Sequence, residues 1–336
     1  MDTMDIIDLM DAPDTPGPFT TKHLFGKPCG MADETGPFRE DVITLACGRS
    51  LGVAEFGNPK GLPLFWFHGT PGARRQVPPL ARDAAAARGL RLIGVERPGI
   101  GDSTTHRYPG LSHFAADLEE IADRLGAGRF GLLGLSGGGP YVLACAHRMP
   151  DRVVAGAIFG GVAPVTGDER ASGGAVRLAV PLRWLIDWAL EPIGNGLGSI
   201  VRGLAPIRDA AFPVLLQLVL APNDRAILLE PRMREVFIGD MLQGARNGMH
   251  VLLLDLLLFS QPWDFSLRDV RVPIHFFQGD ADALVPFDHG THMAALVPDA
   301  TFTHMPGMGH LGTLEATDTA IDFVLSHWKQ RRRAAR

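Results

Sequence analysis

The sequence predicts a doubly wound, mostly parallel α/β sheet with an inserted, mostly helical cap. Three observations lead there. Short apolar runs alternate with helical stretches between about residues 64 and 159, as in strands joined by crossover helices. The alternation lapses over residues 166–264 and then resumes. Glycine-rich turns follow the apolar runs, at the strand ends where ligands gather in such sheets.

Residues 1–40 read as an arm, because Pro13, Pro16, Pro18, Pro28 and Pro37 break any long element; one short helix is expected over Ile6 to Met10. Asp41 to Ala46 and Leu51 to Phe56 read as a hairpin about Gly48-Arg49, feeding a central strand at Leu64-Phe65-Trp66-Phe67. His68-Gly69-Thr70-Pro71-Gly72 follows as a tight turn with free N–H groups. Val77 to Arg88 is helical, and Arg91 to Val95 is a strand ending in Pro98-Gly99-Ile100-Gly101. Ser112 is expected to cap a helix whose Phe114, Leu118, Ile121 and Leu125 form one stripe, stopped at Gly126.

Phe130 to Leu135 is a buried strand, and Pro140 to Arg148 is the helix after it. Between them lies Gly134-Leu135-Ser136-Gly137-Gly138, a GxSxG pattern in which a strand turns sharply into a helix with its serine on the bend. The glycines relieve crowding at that turn, and N–H groups at the start of the helix suit a negatively charged oxygen. Val153 to Phe159 is the next strand. The cap is expected to hold amphipathic pieces at Val180 to Leu190, Ala211 to Leu220, Arg232 to Gln243 and Val251 to Phe259. Its Trp184, Trp188, Leu190, Leu215, Leu216, Leu252 and Phe259 read as core that also lines any site the cap faces. Strands return at Val272 to Phe277 and Thr301 to His304, with helices at Asp288 to Leu296 and Thr313 to Lys329. The core is thus 41–165 with 265–336, and the cap 166–264.

The length allows about three quarters of the unfolded surface to be buried, enough for one core with an insert. A net charge of −5 supplies no basic field for nucleic acid, despite Arg331, Arg332, Arg333 and Arg336. Cys29, Cys47 and Cys145 form no CxxC pair, which argues against a disulfide framework or zinc site. The first basic residue is Lys22, after five aspartates, unlike a secretory leader. These features predict a cytoplasmic chain. Arg183, Asp187, Glu191 and Asp255 interrupt the longest apolar stretches, so stable membrane insertion is not expected.

Three groups suited to nucleophilic catalysis stand after successive strands in the order Ser136, Asp282, His310. With the HGxPG loop at His68 to Gly72, the PGxG turn at Pro98 to Gly101, the GxSxG turn, the GxxDxxVP run from Gly279 to Pro286 and the GxGH loop ending at His310, the chain resembles the α/β-hydrolase superfamily. The likeness covers residues 41–330 and points to its capped esterase, proline iminopeptidase and C–C hydrolase branch. It implies that Ser136 is the nucleophile, His310 the general base and acid, and Asp282 the group orienting the imidazole. The backbone N–H groups of Gly137 and Thr70 would form the oxyanion hole.

Asp280 competes with Asp282 but follows a turn glycine, where aspartate commonly closes turns. His304, His289 and His292 compete with His310 but fall on strand or helix patterns. His68 reads as structural. Arg74 and Arg97 pair with Glu96 or Asp102, or hold a substrate carboxylate. A serine nucleophile and a cap without tyrosine disfavour dehalogenase and epoxide hydrolase chemistry. Esters with apolar acyl or aromatic groups are the expected substrates. The alternatives are iminopeptidase action, with Asp187, Glu191 or Glu230 binding an ammonium, C–C bond hydrolysis, or a non-catalytic ligand-binding role. The iminopeptidase elbow typically carries tryptophan after the serine, where this chain has Gly137. The expected partner is a small, apolar substrate; no metal or organic cofactor is implied, and oligomeric state is left open.

Overall fold

The computed structural model describes residues 36–207 and 222–334. Among them, eight strands form one sheet in the order β1-β2-β4-β3-β5-β6-β7-β8. The strands are β1 (Arg39–Thr44), β2 (Ser50–Gly57), β3 (Pro63–Phe67), β4 (Arg91–Val95), β5 (Phe130–Leu135), β6 (Val153–Phe159), β7 (Ile274–Gly279) and β8 (Ala300–Met305). β2 runs antiparallel to β1 and β4, and the pairings from β4 to β8 are parallel. All of β5 and β6 is buried, as the continuous apolar runs require of strands covered on both faces.

Helices α1 (Pro79–Ala87), α2 (Phe114–Arg124) and α3 (Gly139–Arg148) alternate with the strands, and α9 (Phe287–Leu296) and α10 (Thr317–Ala334) follow the insertion. The pleat sorts side chains to two faces. Phe65, Phe67, Phe130 and Leu132 join the Phe114 stripe and Tyr141 in one cluster, whereas a Cβ at Gly131 would meet Val324 of α10 and Leu64. The stripe is buried along its length.

Between β6 and β7 the chain forms α4 (Arg183–Trp188), α5 (Leu190–Leu204), α6 (Pro222–Leu229), α7 (Pro231–Gly244) and α8 (His250–Phe259), with a 3-10 segment at Ala175–Leu182. The pieces expected at Ile6 to Met10 and Ala211 to Leu220, with Leu215 and Leu216, lie outside the described residues, as does Cys29. Other expectations need correction. Ser112 is not a helix cap: it lies in a 3-10 turn, and both its N–H and its hydroxyl donate to Asp264. α8 is apolar around its circumference rather than amphipathic, because it is buried on nearly every side. Trp184 and Trp188 are 71% and 79% exposed, so neither belongs to the core. α5 joins the core side of the insertion through Gly194 and Gly198, where glycine lets it approach His250 and Gly248. Among the described residues, no helix is long and apolar enough to cross a membrane.

Candidate active site

Ser136 opens the 3-10 turn Ser136–Gly138 between β5 and α3. Its φ of 54° places it in the left-handed region, alone among the described non-glycine residues. A side chain there costs about 1–3 kcal/mol, which the strand and helix on either side must impose. The elbow lies close against β3: a Cβ at Gly138 would stand 2.2 Å from the Phe67 carbonyl oxygen. The Ser136 carbonyl accepts from Val162 N at 3.4 Å, linking the elbow to the end of β6.

Asp282 and His310 meet directly, with His310 Nδ1 donating to Asp282 Oδ2 at 2.7 Å and both side chains almost wholly buried. Asp282 is fixed from three other sides. Gln278 Nε2 donates to Oδ2 at 3.1 Å, and the N–H groups of Leu284 and Val285 donate to Oδ1 at 2.9 Å. Gly160, at φ 56°, makes room for the pair, since a Cβ there would lie 2.9 Å from His310 Nδ1 and 3.4 Å from Asp282 Oδ2. The end of β6 therefore borders both the serine turn and the histidine–aspartate pair. Burial pulls the His310 imidazole down, but the neighbouring Asp282 carboxylate, its hydrogen bond and the Asp224 charge outweigh that. The ring is held above the ordinary histidine value.

The rival residues are occupied elsewhere. Asp280 accepts from His304 Nε2 at 2.9 Å and from Gly307 N at 2.6 Å, closing a surface turn. His292 donates to the Glu169 carbonyl, and His289 Nδ1 accepts from Ala163 N. His68 is structural: it is buried, its Nδ1 donates to the Gly69 carbonyl, and its Nε2 accepts from Arg97 N. Burial and the Arg97 charge hold that imidazole well below its ordinary value, so it is neutral.

Thr70 lies beside the serine turn. Its Oγ1 donates to Asp255 Oδ2 at 2.5 Å and accepts from Arg97 Nη2 at 3.0 Å, so its side chain is committed. Gln76 braces the same loop, accepting from Gly69 N and donating to the Pro71 carbonyl. Neither arginine has a free guanidinium. Arg74 pairs with Glu40, Glu96 and Asp102. Arg97 pairs with Asp255 of α8 rather than with Glu96 or Asp102, and Tyr141 donates to the same carboxylate. Of the cap acids, Asp187 pairs with Arg107, Glu191 lies 3.1 Å from His250, and Glu230 caps α7 through Met233 N.

Sequence reasoning missed Asp224, Asp240 and Asp255, each almost fully buried in the insertion. Asp240 accepts from Ala73 N and Arg75 N. Burial and the Glu96 charge push its carboxyl up to about 7, against those donors. Asp255 carried a readable signal, a single acid inside Val251-Leu252-Leu253-Leu254-Asp255-Leu256-Leu257-Leu258-Phe259. A charge in so apolar a helix needs a buried partner.

A family model for the alpha/beta hydrolase fold matches residues 63–317. A proline iminopeptidase of Neisseria gonorrhoeae is 28% identical over 156 residues, covering 44% of this chain and 49% of that enzyme; the chain thus spans about half the length of this relative. A poly(3-hydroxyalkanoate) depolymerase of Ectopseudomonas oleovorans is 24% identical over 83% of this chain and 88% of its own length. Among solved structures, an esterase from Rhodococcus sp. ECU1013 superposes with a TM-score of 0.61 at 20% identity, covering 86% of this chain and 98% of that one. The sheet order, the strained serine between β5 and α3 and the match across most of the core agree, and the chain belongs to the α/β-hydrolase fold family.

Proposed function

We propose that this chain is a serine hydrolase that cleaves carboxylic esters carrying an apolar acyl or aromatic group, through an acyl-enzyme. The observation carrying this reading is Ser136, held at φ 54° on the β5–α3 turn, with the buried His310–Asp282 pair against Gly160, two residues before the Val162 N–H that reaches the Ser136 carbonyl. Residues 166–264 are assigned as the cap over a core of 41–165 and 265–336, with 1–40 as an arm. The chain is assigned to the cytoplasm.

With Nδ1 engaged by Asp282, Nε2 of His310 is the nitrogen left to take the serine proton. As Ser136 Oγ bonds to the ester carbon, the carbonyl π pair moves onto oxygen, where the N–H groups of Gly137 and Thr70 stabilise it. Collapse expels the alkoxide, which takes the proton from His310. Water then repeats the sequence on the acyl-enzyme, releasing the acid and restoring Ser136. Asp282 holds one tautomer and stabilises the imidazolium between the steps.

The proline iminopeptidase reading draws on the likeness to the Neisseria enzyme. Against it, Asp187 is paired with Arg107 and Glu230 caps α7, which leaves mostly exposed Glu191 as its remaining candidate for an ammonium. The test is hydrolysis of p-nitrophenyl esters from acetyl to long acyl chains, beside proline p-nitroanilide, by the wild type and Ser136→Ala. Ester turnover lost in the mutant is expected, and the preferred chain length sizes the pocket. Turnover of the prolyl anilide alone would replace the ester reading, and unchanged turnover in Ser136→Ala would remove the nucleophile.

A further inference from the structure

We infer that Asp224 is a positioning residue for His310: from the insertion, its carboxylate fixes the backbone of the histidine loop and sets a second negative charge beside the imidazole. The inference rests on the reading of His310 as the general base.

Asp224 stands in the first turn of α6 and is 1% exposed. Its Oδ2 accepts from His310 N at 2.9 Å and its Oδ1 from Leu311 N at 2.8 Å. Those N–H groups begin the 3-10 turn Leu311–Ala316 that runs into α10, where a helix has no internal acceptor for them. Helix starts are usually capped by a neighbouring side chain. Here the cap arrives from 86 residues earlier in the chain. Asn223 adds a second tie, Nδ2 donating to the Gly307 carbonyl at 2.8 Å. The loop has closed fully onto the acid, since a Cβ at Gly309 would stand 2.5 Å from Asp224 Oδ1. His310 is thus held twice, its ring by Asp282 and its backbone by Asp224.

A buried carboxylate is costly unless its partners offset the lost hydration. Burial and the charge of Asp282 raise the Asp224 carboxyl, while the two N–H groups and His310 pull it back. In return, Asp224 supports the charged form of His310, after Asp282. Among the described residues, Asp282 holds the imidazole from the loop after β7, and Asp224 holds the backbone of the same residue from α6. Neutral packing of α6 could hold the loop without either effect. Asp240 fastens α7 to the N–H groups of the 73–75 loop in the same manner, and Asp255 fastens α8 to the Thr70 hydroxyl, but the contacts of neither reach the histidine loop.

The test compares wild type, Asp224→Asn and Gly309→Ala, with Ser136→Ala and His310→Gln as references. Readouts are ester hydrolysis and the rate of serine labelling by a fluorophosphonate, each across pH, beside thermal unfolding. Asp224→Asn keeps one acceptor and loses the charge. It should lower kcat about tenfold with KM unchanged, within what a small misplacement of a reacting group costs. It should also move the acid limb of kcat/KM to lower pH. Gly309→Ala, which forces the loop off the acid, should lower kcat as well. A wild-type kcat and acid limb in Asp224→Asn would overturn the inference. So would a loss of kcat with the acid limb unmoved, because that is a structural loss alone. If Asp224→Asn does not fold, Gly309→Ala carries the test, and a wild-type kcat there overturns it. Activity surviving in Ser136→Ala or His310→Gln would instead bring down the catalytic reading, and the inference with it.

Discussion

Thr70 Oγ1 occupies the space that a side chain at Gly137 would need: a Cβ at residue 137 would stand 2.2 Å from it and 3.2 Å from the Phe259 ring. The residue after the serine and the HGxPG loop are therefore matched to each other. Thr70 cannot easily yield, because Asp255 and Arg97 hold its hydroxyl. Gly137→Ala is expected to fold but to push the Thr70 loop away from the elbow. If both residues supply oxyanion donors, kcat should fall about 10²- to 10³-fold, the usual cost of losing one donor. Near-normal turnover in Gly137→Ala would place the oxyanion elsewhere. Any larger side chain at residue 137, a tryptophan included, would meet the same contact.

Under the proposed mechanism, in which His310 is the base, the pH dependence of turnover follows from that residue. The base must be neutral to accept the serine proton, so activity should fall as pH drops through its pKa. Burial lowers that pKa, but Asp282 and Asp224 together hold it above the ordinary 6.5. The acid limb of kcat/KM should accordingly have its midpoint above 6.5. Asp282→Asn removes the larger support, so the limb should move to lower pH while kcat falls about 10⁴-fold through loss of the correct tautomer. A limb centred below 6.5 in the wild type would show that desolvation wins.

The sheet was legible in the sequence because its strands are short apolar runs bounded by glycine, and burial on both faces demands that pattern. The serine turn and the meeting of Asp282 with His310 were legible for a related reason: sharp turns at strand ends need glycine, and these side chains stand beside such turns. The insertion was legible only as an interruption. Its helices are tied to distant loops by Asp224 and Asp240, which accept from loop N–H groups, and by Asp255, which accepts from the Thr70 hydroxyl; a lone acid in an apolar run announces that a partner is needed, but no local spacing names one up to 185 residues away. The pairing of Arg97 was missed for the same reason, since nearby Glu96 and Asp102 are taken by Arg74.

The tryptophans of α4 offer a test of the insertion. Trp184 and Trp188 are mostly exposed, whereas Trp263 is half-buried and Trp66 and Trp328 are buried. Acrylamide should therefore quench wild-type fluorescence strongly at first and then weakly. The strongly quenched component should be lost in Trp184→Phe/Trp188→Phe, leaving the weaker response of Trp263 and the buried rings. A double variant that keeps the strongly quenched component would mean that α4 is covered and that the quenchable rings lie elsewhere.

Arg97 and Asp255 form a fully buried ion pair, with Nη2 2.7 Å from Oδ2 and the guanidinium 4.9 Å from the centre of the Tyr141 ring. Each charge depends on the other, because neither can reach water. Asp255→Leu should destabilise the protein by about 3–5 kcal/mol, the cost of leaving one buried charge unpaired. Arg97→Met should cost a similar amount, since it strands the carboxylate. The double variant should recover much of the loss, because apolar side chains of similar size need no partner there. Urea unfolding of the four proteins measures the coupling. The hydroxyl of Thr70 loses both partners in the double variant, so recovered stability should not bring recovered turnover. If both returned together, the pair would serve only to hold α8 on the core. If stability alone returned, its retention would reflect the placement of the Thr70 loop.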